Sequence, residues 1–175
     1  MELRNQIYID ASADQVWEAL GERFMMVSEW AAPITSSCPV DQRTPGIGVT
    51  RSCTIAAFGP VEPGIVKERL TKFDRERMVF EYEAIEGMPR FVEHAVNRWG
   101  IVSVNDARSI VRIHATVRLR GIARVFSWLF ERQFQSGGAR VAEELKYFVE
   151  RGEPHPRKQA ATGKLVGARC PRPPD

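Results

Sequence analysis

The chain has 175 residues, 43% hydrophobic and 27% charged, a balance that suits one soluble globular domain with a real core. Its formal charge of +3 resides in residues 152–175, where five basic side chains meet two acidic ones; the preceding 151 residues carry 20 of each sign. A neutral body argues against a nucleic-acid-binding domain, and no apolar run approaches the ~20 residues a membrane span needs, so membrane contact is not predicted. The N-terminus has an acidic residue at position 2 and no apolar signal core, which makes a cytoplasmic location the expectation.

In chain order, residues 3–9 read as a strand with Ile7 and Ile9 on one face. Ser12 and Gln15 have capping-box spacing and Asp14 suits the first turn of a helix, which predicts one over 13–22. A second short helix is expected over 25–29, ending before Pro33, with Trp17, Phe24 and Trp30 supplying apolar contacts. Strand candidates follow at 34–41, 49–57, 64–73, 78–86, 91–104 and 109–120, separated by Gly, Pro, Asn and Asp breakers. The last is the clearest, with Val111, Ile113, Ala115, Val117 and Leu119 on one side and Arg112, His114, Thr116 and Arg118 on the other.

After Gly121 the period changes. Val125, Phe126, Leu129, Phe130, Phe134, Val141, Leu145, Phe148 and Val149 recur at helical spacing, so residues 122–150 read as one long helix closed by Gly152 and Pro154. Gly137-Gly138 predicts a bend or thin spot within it. Residues 152–175 are rich in Pro, Gly and basic side chains without periodicity, which predicts a disordered tail after a folded domain of 1–151. Cys38, Cys53 and Cys170 are far apart and lack CxxC spacing, so neither a disulfide framework nor a zinc site is expected. The three histidines form no metal-ligand pattern, and no residue pattern in the chain calls for a metal or redox cofactor.

A long antiparallel sheet needs its apolar face covered, and only one helix is long enough. The sheet should therefore curl around it and leave a cavity between them. That order of elements, together with Ile9-Asp10-Ala11-Ser12-Ala13-Asp14-Gln15-Val16-Trp17, Gly48-Val49-Thr50-Arg51, Val66-Lys67-Glu68-Arg69-Leu70, Phe80-Glu81-Tyr82-Glu83-Ala84-Ile85-Glu86-Gly87 and Asn97-Arg98-Trp99, resembles the START-like (helix-grip) superfamily. Within it, the chain is most similar to the polyketide cyclase/dehydrase-like proteins. The resemblance spans residues 3–150 and implies an α+β fold, about seven strands wrapped round the last helix and enclosing a hydrophobic ligand cavity. It does not imply one activity, since such folds carry lipids, sense hormones or cyclise polyketides.

Alternation assigns the inner faces. Val49, Cys53 and Ile55 point inward on the third strand, with Arg51 on their face; Val66, Glu68 and Leu70 point inward on the fourth; Met78, Phe80, Tyr82 and Ala84 on the fifth. A carboxylate among apolar neighbours demands a partner or polar cavity contents. Antiparallel pairing sets Glu68 opposite or diagonal to Arg51 and Cys53, and near Tyr82. On the sixth strand the family pattern favours Asn97 and Trp99 inside, with His94 and Arg98 as the alternative if a bulge shifts the parity.

Arg51, Glu68 and Tyr82 then form either a polar anchor for a ligand or, for the first two, a structural pair that fixes strand register. As an anchor, Arg51 would hold a carboxylate, phenolate or enolate, Glu68 would orient Arg51 or accept a ligand hydroxyl, and Tyr82 would donate a hydrogen bond or a proton. Phe80, Trp99 and Trp128 would provide flat walls, and Cys53 and Asn97 would line the same ligand pocket, Cys53 as a small filler rather than a nucleophile. Three functions are compatible with this: a carrier of a mostly apolar small molecule, a cyclase or aromatase using Glu68, Tyr82 or Arg51 in aldol closure or dehydration, and an interaction module acting through the basic tail and Arg118, Arg120 and Arg124.

Overall fold

The computed structural model describes residues 1–41, 44–56, 62–124 and 127–162. Seven strands form one antiparallel sheet in the order β1-β7-β6-β5-β4-β3-β2. They are β1 (Glu2–Ile9), β2 (Ile34–Pro39), β3 (Thr50–Ile55), β4 (Gly64–Asp74), β5 (Val79–Glu86), β6 (Val92–Asn105) and β7 (Arg108–Leu119). Because β1 pairs with β7, the chain's first strand closes onto its last, and only the β1–β2 passage leaves the meander.

That passage begins with α1 (Ala13–Trp17) and its expected capping box: Gln15 N–H donates to Ser12 Oγ and Ser12 N–H to Gln15 Oε1. The helix does not continue regularly to residue 22. Residues Glu18–Glu22 widen into a π turn, and Phe24–Glu29 form a 3-10 helix. Trp17, almost wholly buried, folds its indole over Gly21, where an added Cβ would lie 2.6 Å from the ring.

The long helix α2 (Ser127–Arg151) crosses the inner face of the sheet, burying Phe134, Ala142 and Leu145. It follows a 3-10 turn at Gly121–Arg124 rather than starting at 122. It runs through Gly137-Gly138 without a break in the helix. Gly138 instead permits close approach to β1: a Cβ there would meet the Asn5 amide nitrogen at 2.7 Å. Gly87 has a different reason to be glycine, with φ +85 and room for an added Cβ only 1.9 Å from the Ile65 carbonyl.

Two further expectations need correcting. Residues Pro156–Thr162, placed in the disordered tail by composition, form helix α3, which Arg157 ties to α2 through the Arg140 carbonyl and the Glu143 carboxylate. Lys158 is buried there and its Nζ donates to the Ile34 carbonyl at 2.6 Å, a contact that composition cannot reveal. Cys38 is disulfide-bonded, where cysteine spacing gave no disulfide framework. The end of the predicted third strand at Ala57, the start of the predicted long helix around Val125 and Phe126, and the predicted tail from residue 163 also lie outside the described residues.

Candidate functional site

Between the sheet and α2 lies a cavity of about 210 Å³. Its walls are largely apolar: Leu20, Val27 and Trp30 from the segment after α1, Phe80 and Trp99 from β5 and β6, Ile113 and Val117 from β7, and Val141 from α2. Alternation in β3, β4 and β5 carries the polar groups inward as expected. Arg51 pairs directly with Glu68 across β3 and β4, while Tyr82 stands opposite Leu70, diagonal to Glu68. On the other side Tyr82 faces Asn97 and Phe80 faces Trp99 across β5 and β6.

The sixth strand does contain an irregularity, between Val92 and His94, but it lies before the site and leaves Asn97 and Trp99 pointing inward. His94 and Arg98 are on the outer face; the His94 side chain is half-exposed, beside Glu83.

Arg51 is only 3% exposed and Glu68 8%. Arg51 Nε and Nη2 both lie 2.7 Å from Glu68 Oε2, and Nη1 donates to the Phe24 carbonyl. The guanidinium carbon sits 3.8 Å from the centroid of the Phe24 ring and 5.0 Å from that of Tyr82, a cation between two aromatic faces. Burial, the largest single influence, would lower the Arg51 pKa, but the charge and hydrogen bond of Glu68 together with neighbouring Cys53 and Tyr82 outweigh it, and the net shift is upward. Glu68 Oε1 accepts no protein hydrogen bond among the described residues.

Tyr82 also lines the cavity, and its hydroxyl makes no protein hydrogen bond among the described residues. Burial, reinforced by Glu68, raises its pKa, so it remains a proton-bearing donor. The Trp99 indole lies near enough to favour the ionised form slightly, yet its buried Nε1 meets no acceptor with hydrogen-bond geometry. Phe80 stacks nearly parallel with Trp99 at 6.2 Å and with Tyr82 at 6.3 Å, giving the wall a flat aromatic band.

Two predicted residues fall outside this surface. Cys53 is fully buried behind it, with Sγ 3.6 Å from Ser37 Oγ and 3.7 Å from Glu68 Oε2. Burial pushes its thiol up to about 12, against the pull of Arg51, so it is no nucleophile. Trp128, expected as a flat wall, is 66% exposed at the start of α2 and does not reach the cavity. Helical periodicity could not fix its face because Leu129 and Phe130 follow it directly.

Three further contributors lie outside the residues expected to line the cavity, one of them legible from strand parity. Asn5 lines the cavity from β1, a position that its parity with Leu3 and Ile7 would have revealed. Arg23 lines the cavity too, paired with Glu29 and 6.0 Å from the Phe148 ring. The Phe24 carbonyl caps Arg51. Arg23 and Phe24 come from the irregular turns, where no period exists to read.

A family model described as polyketide cyclase/dehydrase and lipid transport matches residues 1–147. Solved structures share the fold at low identity. The Zhui aromatase/cyclase from a Streptomyces species is 16% identical, with TM-score 0.69, over 86% of this chain and 94% of that one. The di-domain aromatase/cyclase BexL is 20% identical, with TM-score 0.71, over 86% of this chain and 46% of that larger one. Truncated norcoclaurine synthase from Thalictrum flavum is 16% identical, with TM-score 0.65, over 86% of this chain and 94% of that one. No functionally curated protein matches the sequence.

Proposed function

The chain belongs to the polyketide cyclase/dehydrase and lipid transport family, and from that premise we propose that it holds a mostly apolar, flat small molecule in the cavity between sheet and α2. The observation that carries this reading is the combination of an apolar cavity of about 210 Å³ with polar atoms that the protein leaves unused on one wall. Burying polar groups without partners is costly, so a cavity that retains them suits a ligand that completes them. Glu68 Oε1 accepts a ligand hydroxyl, while Tyr82 and Asn97 stand opposite each other to bind a carbonyl or a second hydroxyl. The aromatic band of Phe80, Tyr82 and Trp99 supports the planar part by stacking.

A second reading has one specific support. Tyr82 is kept as a neutral phenol near a buried carboxylate, a disposition that lets it donate a hydrogen bond to a developing enolate oxygen in aldol closure or dehydration while retaining its proton. Native mass spectrometry of gently purified protein, followed by organic extraction, tests the first reading. A stoichiometric apolar compound released unchanged supports it, and a protein that never acquires mass from apolar compounds contradicts it. Turnover of a polyketone lost in Tyr82→Phe and Glu68→Gln, with folding intact, would favour the enzyme.

A further inference from the structure

Two arginines line the cavity, and each has its own carboxylate. Arg23 is paired with Glu29 and Arg51 with Glu68, and among the described residues no other cationic side chain faces the space. Arg51 is the deeper of the two: its side chain is 4% exposed, its donors engage Glu68 Oε2 and the Phe24 carbonyl, and aromatic rings cover it.

A guanidinium buried this far requires a counter-ion, because an unpaired charge there is strongly destabilising. A ligand carboxylate would serve, but the chain supplies Glu68 in that role, one residue pair across the sheet. A ligand carboxylate entering beside Glu68 would add a second anion to a site with one buried cation. Its repulsion and desolvation would then go uncompensated. An uncharged group meets no such penalty: an N–H or O–H donates to Glu68 Oε1, and an adjacent carbonyl accepts from Tyr82.

We propose that Glu68 is a built-in counter-ion that substitutes for a ligand carboxylate, so that the cavity selects uncharged planar ligands and rejects carboxylates of the same shape. This rests on the ligand-binding reading above and narrows it. Glu68 is thereby a specificity-determining residue, and its neutralisation reverses the preference, because Arg51 then lacks its anion.

The test uses three probes on the full chain by isothermal titration calorimetry: 2-naphthamide, its isostere 2-naphthoate, and naphthalene as the bare frame. The wild type is expected to bind naphthamide at least about 10-fold more tightly than naphthoate, the ratio that about 1.4 kcal/mol confers. Glu68→Gln is expected to invert that order and to gain thermal stability from naphthoate. Equal or tighter binding of naphthoate by the wild type overturns the inference, as does an unchanged order in Glu68→Gln. Naphthalene bound without discrimination between the other two would sink the counter-ion role and leave the ligand cavity standing. Failure of all three probes to bind counts against the cavity reading itself. If Glu68→Gln does not fold, the wild-type ratio of naphthamide to naphthoate affinity decides alone.

Discussion

Replacing Arg51 by methionine isolates the energetics of the anchor. Methionine keeps a stem of similar length between the Phe24 and Tyr82 rings but removes every donor. Glu68, 8% exposed, is then left without its cation, and the Phe24 carbonyl loses the Arg51 donor. Breaking a buried pair from one side costs about 3–5 kcal/mol, or about 6–20 °C in Tm for a domain of this size. The double variant Arg51→Met/Glu68→Leu removes both charges, and a buried pair replaced by apolar groups of similar volume is commonly neutral or stabilising. The expectation is a single variant far less stable than the double one, measured by urea unfolding followed by circular dichroism with linear extrapolation. A single substitution costing under about 1 kcal/mol, or a double variant as unstable as the two singles summed, would refute the reasoning, because either result means the charges do not depend on each other.

Alkaline pH should destabilise the fold. Burial holds Cys53 at about 12 against an ordinary 9.0 and raises Tyr82 above its ordinary 10.0. The unfolded chain therefore loses these protons first, and stability that is complete below pH 9.0 falls as pH climbs toward about 12, by about 1.4 kcal/mol per pH unit per group. Urea midpoints at about pH 8 and about pH 10 check this, and Cys53→Ala should flatten the difference. Lys158→Met should cost about 1–3 kcal/mol by stranding the Ile34 carbonyl, and should speed amide hydrogen exchange at Ala32, whose N–H donates to Glu144, and at Ala56, whose N–H donates to the Pro33 carbonyl. Unchanged exchange there would show that α3 does not brace the 32–34 segment. Gly21→Ala should lose about 1–3 kcal/mol in chemical denaturation, although alanine favours helices, because the new methyl presses on the buried Trp17 indole.

The parts of the site that the sequence revealed are those built on strands. A period of two is unambiguous where one face is buried, so Arg51, Glu68, Phe80 and Tyr82 can be assigned inward, and Glu68 placed near Arg51, from alternation alone. The parity of Asn97 needs the family pattern, since the strand carries an irregularity a few residues earlier. Residues 18–29 are opaque for the opposite reason. Their π and 3-10 turns have no long period, so Arg23, which lines the cavity, and the Phe24 carbonyl, which accepts from Arg51, leave no signal. Trp128 misleads because an aromatic side chain at a helix start, with apolar residues directly after it, can lie on either face. The segment before residue 163 misleads because its Pro-rich, basic composition conceals one buried lysine bound to a backbone carbonyl.

The central claim is that a hollow interior presents Glu68 and Tyr82 to an uncharged ligand, and a crystal structure of the protein soaked with 2-naphthamide examines it most directly. The account predicts density for the ring system between the aromatic band and α2, with the amide N–H on Glu68 Oε1 and its carbonyl on the Tyr82 hydroxyl. Density confined to the outer surface, or a cavity closed by the protein's own side chains, would contradict it.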